Sequence, residues 1–172
     1  MTGILVAVGF MLLFALIASN RFVMLRKMSD KAFANVQKDL IHKYDLLDDV
    51  LTAIRKKNLS SESCYPDIDE KLMILLSKAD PENLPINNTV EIENQITANI
   101  QELYDCLEQE NILAEVPGQA LSSLEEAGNA LQAPKQHYND MVRHYNNAVY
   151  LFPSNVFALF FGYKVRKTFT GL

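Results

Sequence analysis

A Tyr-Asn pair at Tyr138-Asn139 recurs seven residues later at Tyr145-Asn146, and Phe152-Pro153-Ser154-Asn155 follows seven residues after that. Seven residues are two helical turns, so Tyr138, Tyr145 and Phe152 fall on one face, which Leu131 and Leu124 carry backwards. A second row, Leu121, Gly128, Lys135, Val142 and Val149, keeps the same period beside it, with Lys135 as its one charged member. The spacing predicts one long core-facing helix from Gln119 to about Phe152, kinked by Pro134 one turn before Tyr138. Such a layout constrains architecture and supplies no catalytic geometry.

Other heptads extend the pattern. Phe33, Leu40, Leu47 and Ile54, with Val36 and Val50 beside them, predict a helix running to about Lys57. Ser-rich Asn58 to Pro66 reads as a loop. Ile68, Leu72, Leu75 and Ala79 mark a shorter helix that Pro81 and Pro85 terminate. Thr89 reads as the N-cap of a third helix, with Glu91 and Glu93 in its first turn and Ile92, Ile96, Ile100, Leu103 and Leu107 on its apolar face. Pro117-Gly118 ends it. No strand pattern and no long-period repeat competes.

Gly3 to Ser19 is an uncharged run of 17 residues, ten of them Leu, Ile, Val or Phe. As a helix it rises about 26 Å, and Phe22 to Leu25 can extend it towards a hydrocarbon core of about 30 Å if Arg21 snorkels. The competing reading is a cleaved signal peptide, but no Lys or Arg precedes the run and no convincing small-x-small site closes it. The expectation is an all-α chain: an N-terminal transmembrane helix, then an up-and-down four-helix bundle with a short C-terminal tail helix. The segments are 1–25 for the anchor, 26–152 for the bundle and 153–172 for the tail.

Charge is divided along the chain. Basic and acidic side chains number 9 and 5 in residues 21–57, 2 and 15 in residues 58–133, and 5 and 1 in residues 134–172. The acidic middle repels nucleic-acid phosphate, which excludes that class of partner. Arg21, Arg26, Lys27 and Lys31 follow the apolar run and nothing basic but the amino terminus precedes it, so the positive-inside bias puts the N-terminus out and the bundle in the cytoplasm. Cys64 and Cys106 agree with a reducing compartment there. If successive helices alternate, the basic tail ends beside the bilayer, with Phe157, Phe160 and Phe161 in the acyl boundary and Lys164, Arg166 and Lys167 at headgroups. The alternative is that these rings close the bottom of the bundle core.

Among polar constellations, His137, Asp140 and His144 share a helical face, but two imidazoles two turns apart need ligands from another helix to hold one ion. A solvated face is the expectation, and no metal or cofactor is expected. Asn139 and Asn146 read as register-fixing amides, and Tyr138 and Tyr145 as core aromatics whose hydroxyls need partners. Nucleophilic triads, phosphate loops and CxxC pairs are absent from the sequence, so no enzyme activity is expected.

The Tyr138-Asn139, Val142, Tyr145-Asn146 and Phe152-Pro153-Ser154-Asn155 series, followed by Phe161-Gly162-Tyr163, resembles the C-terminal signature of the LemA family of bacterial membrane proteins. Ala32-Phe33-Ala34-Asn35-Val36 is similar to that family's Ala-Trp-Ser-Gln-Ile segment, and Lys43, Asp45, Leu46 and Leu47 sit where it reads Arg-x-Asp-Leu-Ile. Asp48-Asp49 stands where Pro-Asn is usual, and nothing of the pattern occurs between Lys56 and Ala120. The resemblance implies an up-and-down bundle, bacterial origin and membrane association, with no agreed mechanism. The functional expectation is a non-enzymatic scaffold or adaptor at the cytoplasmic face of a bacterial inner membrane, contacting lipid and either unidentified proteins or copies of itself. Self-assembly that remodels membranes is the alternative, and a metal-dependent enzyme using His137 and His144 is a third reading.

Overall fold

The computed structural model describes residues 2–56, 64–110, 116–152 and 154–170, although within the first twenty most side chains fall outside the described set. Its helices are α1 (Thr2–Lys56), α2 (Tyr65–Lys78), α3 (Ile86–Gln109), α4 (Gly118–Tyr150) and α5 (Ser154–Phe160). No strand occurs among the described residues.

The heptad rows become the core. Phe33, Val36, Leu40, Leu47, Val50 and Ile54 of α1 are buried with Leu124, Leu131, Tyr138 and Val142 of α4. Contacts along the helices fix their directions. Tyr65 donates its hydroxyl proton to the Leu51 carbonyl and Gln37 bonds the Pro81 carbonyl, so α2 runs antiparallel to α1. Lys43 meets Glu93, so α3 returns along α1. Phe33 lies against Tyr138 and Phe22 against Tyr145, so α4 descends again. The up-down-up-down order holds, and α4 runs as one helix through Pro134.

Three local expectations need correction. Helix α3 begins at Ile86, behind Pro85, whose carbonyl accepts the Asn88 and Thr89 N–H groups. Proline cannot donate to the helix ladder and is well suited to the helix start, and the earlier start moves Glu93 out of the first turn and onto the inward face. Phe152 leaves the aromatic seam. Helix α4 stops at Tyr150, Leu151 turns extended at ψ 136, and Phe152 is left 81% exposed. Pro153 lies outside the described residues. Finally, Cys64 and Cys106 form a disulfide with Cα atoms 6.1 Å apart, so they give no support to a reducing compartment. Spacing in sequence carried no sign of the pairing, because the bundle alone brings the start of α2 to the end of α3.

Among the described side chains of α1 the first buried one is Phe22, which stacks on Tyr163 with ring centroids 4.9 Å apart. Helix α4, with 33 residues, is about as long as α1 from Phe22 onward, so the first twenty residues of the 55-residue α1, about 30 Å, project past the bundle. Leu13, Leu16 and Ile17 on that projection are exposed. Among the described residues no helix is long and apolar enough to cross a membrane, and most side chains of Gly3 to Ser19 are outside that set.

Candidate functional site

The repeated Tyr-Asn pairs hold the chain's own tail. Beyond α5 the backbone reverses at Gly162, whose φ of 66° suits a residue without Cβ, and residues 163–170 then run as a non-helical segment between α3 and α4. Asn146 gives its Nδ2 proton to the Arg166 carbonyl and accepts the Arg166 N–H at Oδ1, both at 2.9 Å. Asn139 does the same for Phe169, again at 2.9 Å both ways. From α3, Asn87 binds the Val165 carbonyl and the Lys167 N–H, and Asn94 binds the Thr168 carbonyl and the Thr170 N–H. The Tyr145 and Tyr138 hydroxyls donate to the Lys164 and Lys167 carbonyls at 3.0 and 3.1 Å. Every carbonyl from Lys164 to Phe169 therefore accepts a bond from a side chain of α3 or α4.

The helix period explains the register. Asparagines seven residues apart on a helix are separated by about 10.5 Å, and three residues of extended chain span about 10 Å. Residues 166 and 169 are bracketed accordingly, from both sides. Side chains complete the fit: Arg166 pairs with Asp30 at 2.7 Å, bonds Ser29 and lies over the Tyr145 ring, while Lys167 pairs with Glu91. Phe169 is buried, 5.1 Å from the Tyr138 ring.

Behind Phe169 lies a buried charge triad. Glu93 Oε1 accepts from Lys43 at 2.7 Å, Lys135 at 2.6 Å and the Thr97 hydroxyl at 3.0 Å, and the Lys135 ammonium also sits over the Phe169 ring. Burial pushes the Glu93 carboxyl up, but the two ammonium groups and their hydrogen bonds outweigh it and hold the acid below the usual carboxylate range. Burial, partly opposed by Glu93, lowers the Lys43 ammonium. Glu93 Oε2 and the Tyr44 hydroxyl are both buried with no partner beyond each other, and burial, then the Glu93 charge and a side-chain hydrogen bond to Glu93, drives the Tyr44 phenol upward. With both lysines charged the triad carries one net positive charge.

The sequence-derived residues thus divide. Tyr138, Asn139, Tyr145 and Asn146 converge on the tail, and Val142 packs in the core between them. Arg166 and Lys167, expected at lipid headgroups, are engaged by bundle carboxylates, whereas Lys164 is exposed. Phe157 is half-buried against Phe22, Tyr145, Ala148 and Ala158, while Phe160 and Phe161 are exposed. Arg21, Arg26, Lys27 and Lys31 are exposed around the level where α1 leaves the bundle. His137 and His144 are exposed, Asp140 lies 3.6 Å from Arg143, and among the described residues no cluster of His, Cys, Asp and Glu is placed to hold a metal. Sequence reading missed Asn87, Asn94 and Glu93. The first two repeat the seven-residue spacing of Asn139 and Asn146, which was the available signal.

The LemA family model matches residues 32–171, which include both lysines and the glutamate of the triad, all four tail-binding asparagines and the tail itself. The chain belongs to the LemA family. No curated protein matches it significantly. The Tyr-Asn repeat by which this LemA chain resembles its family is, in this fold, the set of groups that binds residues 164–170 to α4.

Proposed function

We propose that this LemA-family chain is a non-enzymatic, single-pass membrane protein of bacteria whose helical bundle serves as a scaffold or adaptor beside the bilayer. The supporting observation is the concentration of exposed apolar groups at one end. Leu13, Leu16 and Ile17 lie on the projecting part of α1, Val23 and Met24 follow at its base, and Leu151, Phe152, Leu159, Phe160 and Phe161 lie at the α4–α5 corner. Exposed patches of this kind mark lipid or protein contacts. The uncharged run Gly3 to Ser19 and the cations Arg21, Arg26, Lys27 and Lys31 that follow it fit a span with its bundle on the cytoplasmic side. The Cys64–Cys106 bond favours an oxidising compartment. We favour the cytoplasmic side because the four cations act during insertion, before the bundle exists to bring the cysteines together.

Membrane attachment is tested by sedimentation after alkaline carbonate. The full chain should stay with the membranes and a chain beginning at Phe22 should be extracted; equal extraction of both would refute the anchor. For the scaffold role, crosslinking followed by affinity purification from detergent should recover unrelated proteins. Recovery of copies of the same chain alone would favour self-assembly, the second reading, which the side-chain-only attachment of the tail supports.

A further inference from the structure

We propose that the α3–α4 groove is a peptide-binding site for an extended segment with the pattern Arg-Lys-x-Phe, and that residues 163–170 of a second copy of the chain can occupy it in place of the chain's own. The proposal goes beyond the scaffold reading and does not require membrane attachment.

The tail is held the way a bound peptide is held. Among the described residues, no backbone–backbone hydrogen bond outside the helices involves residues 164–170, the last being Tyr163 N–H to the Ala158 carbonyl. All ten bonds to the tail backbone come instead from Asn87, Asn94, Tyr138, Asn139, Tyr145 and Asn146. Asparagine amides bind backbone of any sequence, because one amide supplies a donor and an acceptor at once. Selectivity then rests on two pockets, Ser29 and Asp30 for the Arg166 guanidinium and Tyr138 with Lys135 for the Phe169 ring, with an exposed Lys167–Glu91 pair beside them.

The groove walls are linked by contacts that do not involve the tail, although Phe169 of the tail is part of the buried core. Helices α3 and α4 are tied through the Glu93–Lys135 pair, α3 to α1 through Glu93–Lys43, and α3 to the start of α2 through the disulfide. Vacating the groove breaks none of these. A second copy offers the identical peptide, so every contact can be reproduced in trans. The difference is effective concentration: a tethered segment competes at about millimolar levels, so exchange requires crowding or a weakened tail.

Two measurements test this. In the first, the probe is the fluorescent peptide of residues 163–170 and the receptor is the full chain in detergent carrying Arg166→Ala and Phe169→Ala, which weaken its own tail. The peptide should bind this variant at least tenfold more tightly than it binds the unaltered chain. Adding Asn94→Ala to the receptor, or Phe169→Ala to the peptide, should remove the binding. If the variant keeps its helix content and gives no binding, the peptide-site proposal is overturned.

The second needs no weakened tail. A chain with Asn94→Cys and a chain with Thr170→Cys are mixed at high concentration under mild oxidation, with an Asp48→Cys chain as control because Asp48 is exposed and lies on another helix. Because Thr170 N–H bonds Asn94 at 2.7 Å, tail exchange should give covalent heterodimers from the first pair and not from Thr170→Cys with the control. Monomers only, or equal yields from both mixtures, would overturn exchange between copies.

Discussion

Asn146 and Arg166 exchange two 2.9 Å hydrogen bonds, side-chain amide to main-chain peptide, although twenty residues separate them in sequence. Truncating Asn146 to Ala leaves a partly buried carbonyl and N–H without partners, which costs about 1–3 kcal/mol. Its exposed neighbour Asn147 has no such role, so Asn147→Ala should stay within about 0.5 kcal/mol. Denaturant titration of the two variants checks the difference. Limited proteolysis should show Asn146→Ala cut first near Lys164 to Lys167.

Glu93 carries more of the triad's stability than either lysine. Its removal as Glu93→Gln leaves two buried ammonium groups facing each other, a loss of about 3–5 kcal/mol. Lys135→Met leaves the Lys43–Glu93 pair intact and neutral, so the expected cost is smaller, about 1.5–3 kcal/mol for the lost charge-assisted bond. An equal loss in both variants would show that the triad is not organised around the carboxylate.

Acid dependence follows from the same group. The folded-state pKa of Glu93 lies below its usual value, so the unfolded chain binds more protons in that range and stability rises with pH there. The contribution is complete above the unfolded carboxylate pKa of about 4.3 and is lost as pH falls through the lower folded value. Lys43, also lowered, has the same sign but acts at alkaline pH, where the unfolded lysine still binds its proton. Urea midpoints between about pH 6 and 3 should fall less steeply for Glu93→Gln than for the unaltered chain.

The disulfide closes a separation of 42 residues, which in the chain-entropy model contributes about 4 kcal/mol. Cys106→Ser should lower the melting temperature by an amount that reduction of the unaltered chain reproduces. The bond also sets the topology assay. In oxidised protein neither thiol is free, so an impermeant maleimide should label the chain only after reduction, and, for a cytoplasmic bundle, only after the membrane is permeabilised as well. Labelling of intact cells after an impermeant reductant would place the bundle outside.

Helices and core rows were readable because heptad spacing is a local property of the chain and burial of an apolar row is its direct consequence. Phe152 obeyed the spacing and still left the core, since the last member of a row is buried only if the helix and its neighbour both continue. The roles of Asn139, Asn146, Asn87 and Asn94 depend on which segment comes back to meet them, and that is decided by the Gly162 reversal and the direction of α4. Glu93 was misread for a simpler reason: placing the helix start at Thr89 put an inward-facing acid in an exposed first turn.

The exposed corner is the place to separate lipid contact from core packing. Phe152→Ala should change stability by no more than about 0.5 kcal/mol, since a side chain 81% exposed has little packing to lose, whereas Tyr145→Ala should cost about 3–5 kcal/mol. Among the tail cations Arg166 and Lys167 are poor probes of lipid, because reversing them would break the Asp30 and Glu91 pairs. Arg26 and Lys164 are better ones. They line a cleft of about 400 Å³ at the same end of the bundle, and both are exposed. Each exposed cation near an anionic surface contributes about 1 kcal/mol, an effect screened by salt. Flotation of a chain beginning at Phe22 with anionic vesicles should therefore weaken with Arg26→Glu plus Lys164→Glu and with rising salt, and weaken independently with Phe152→Ala plus Phe160→Ala. Unchanged flotation of both double variants, each with unaltered melting, would mean that the corner meets a protein rather than a bilayer.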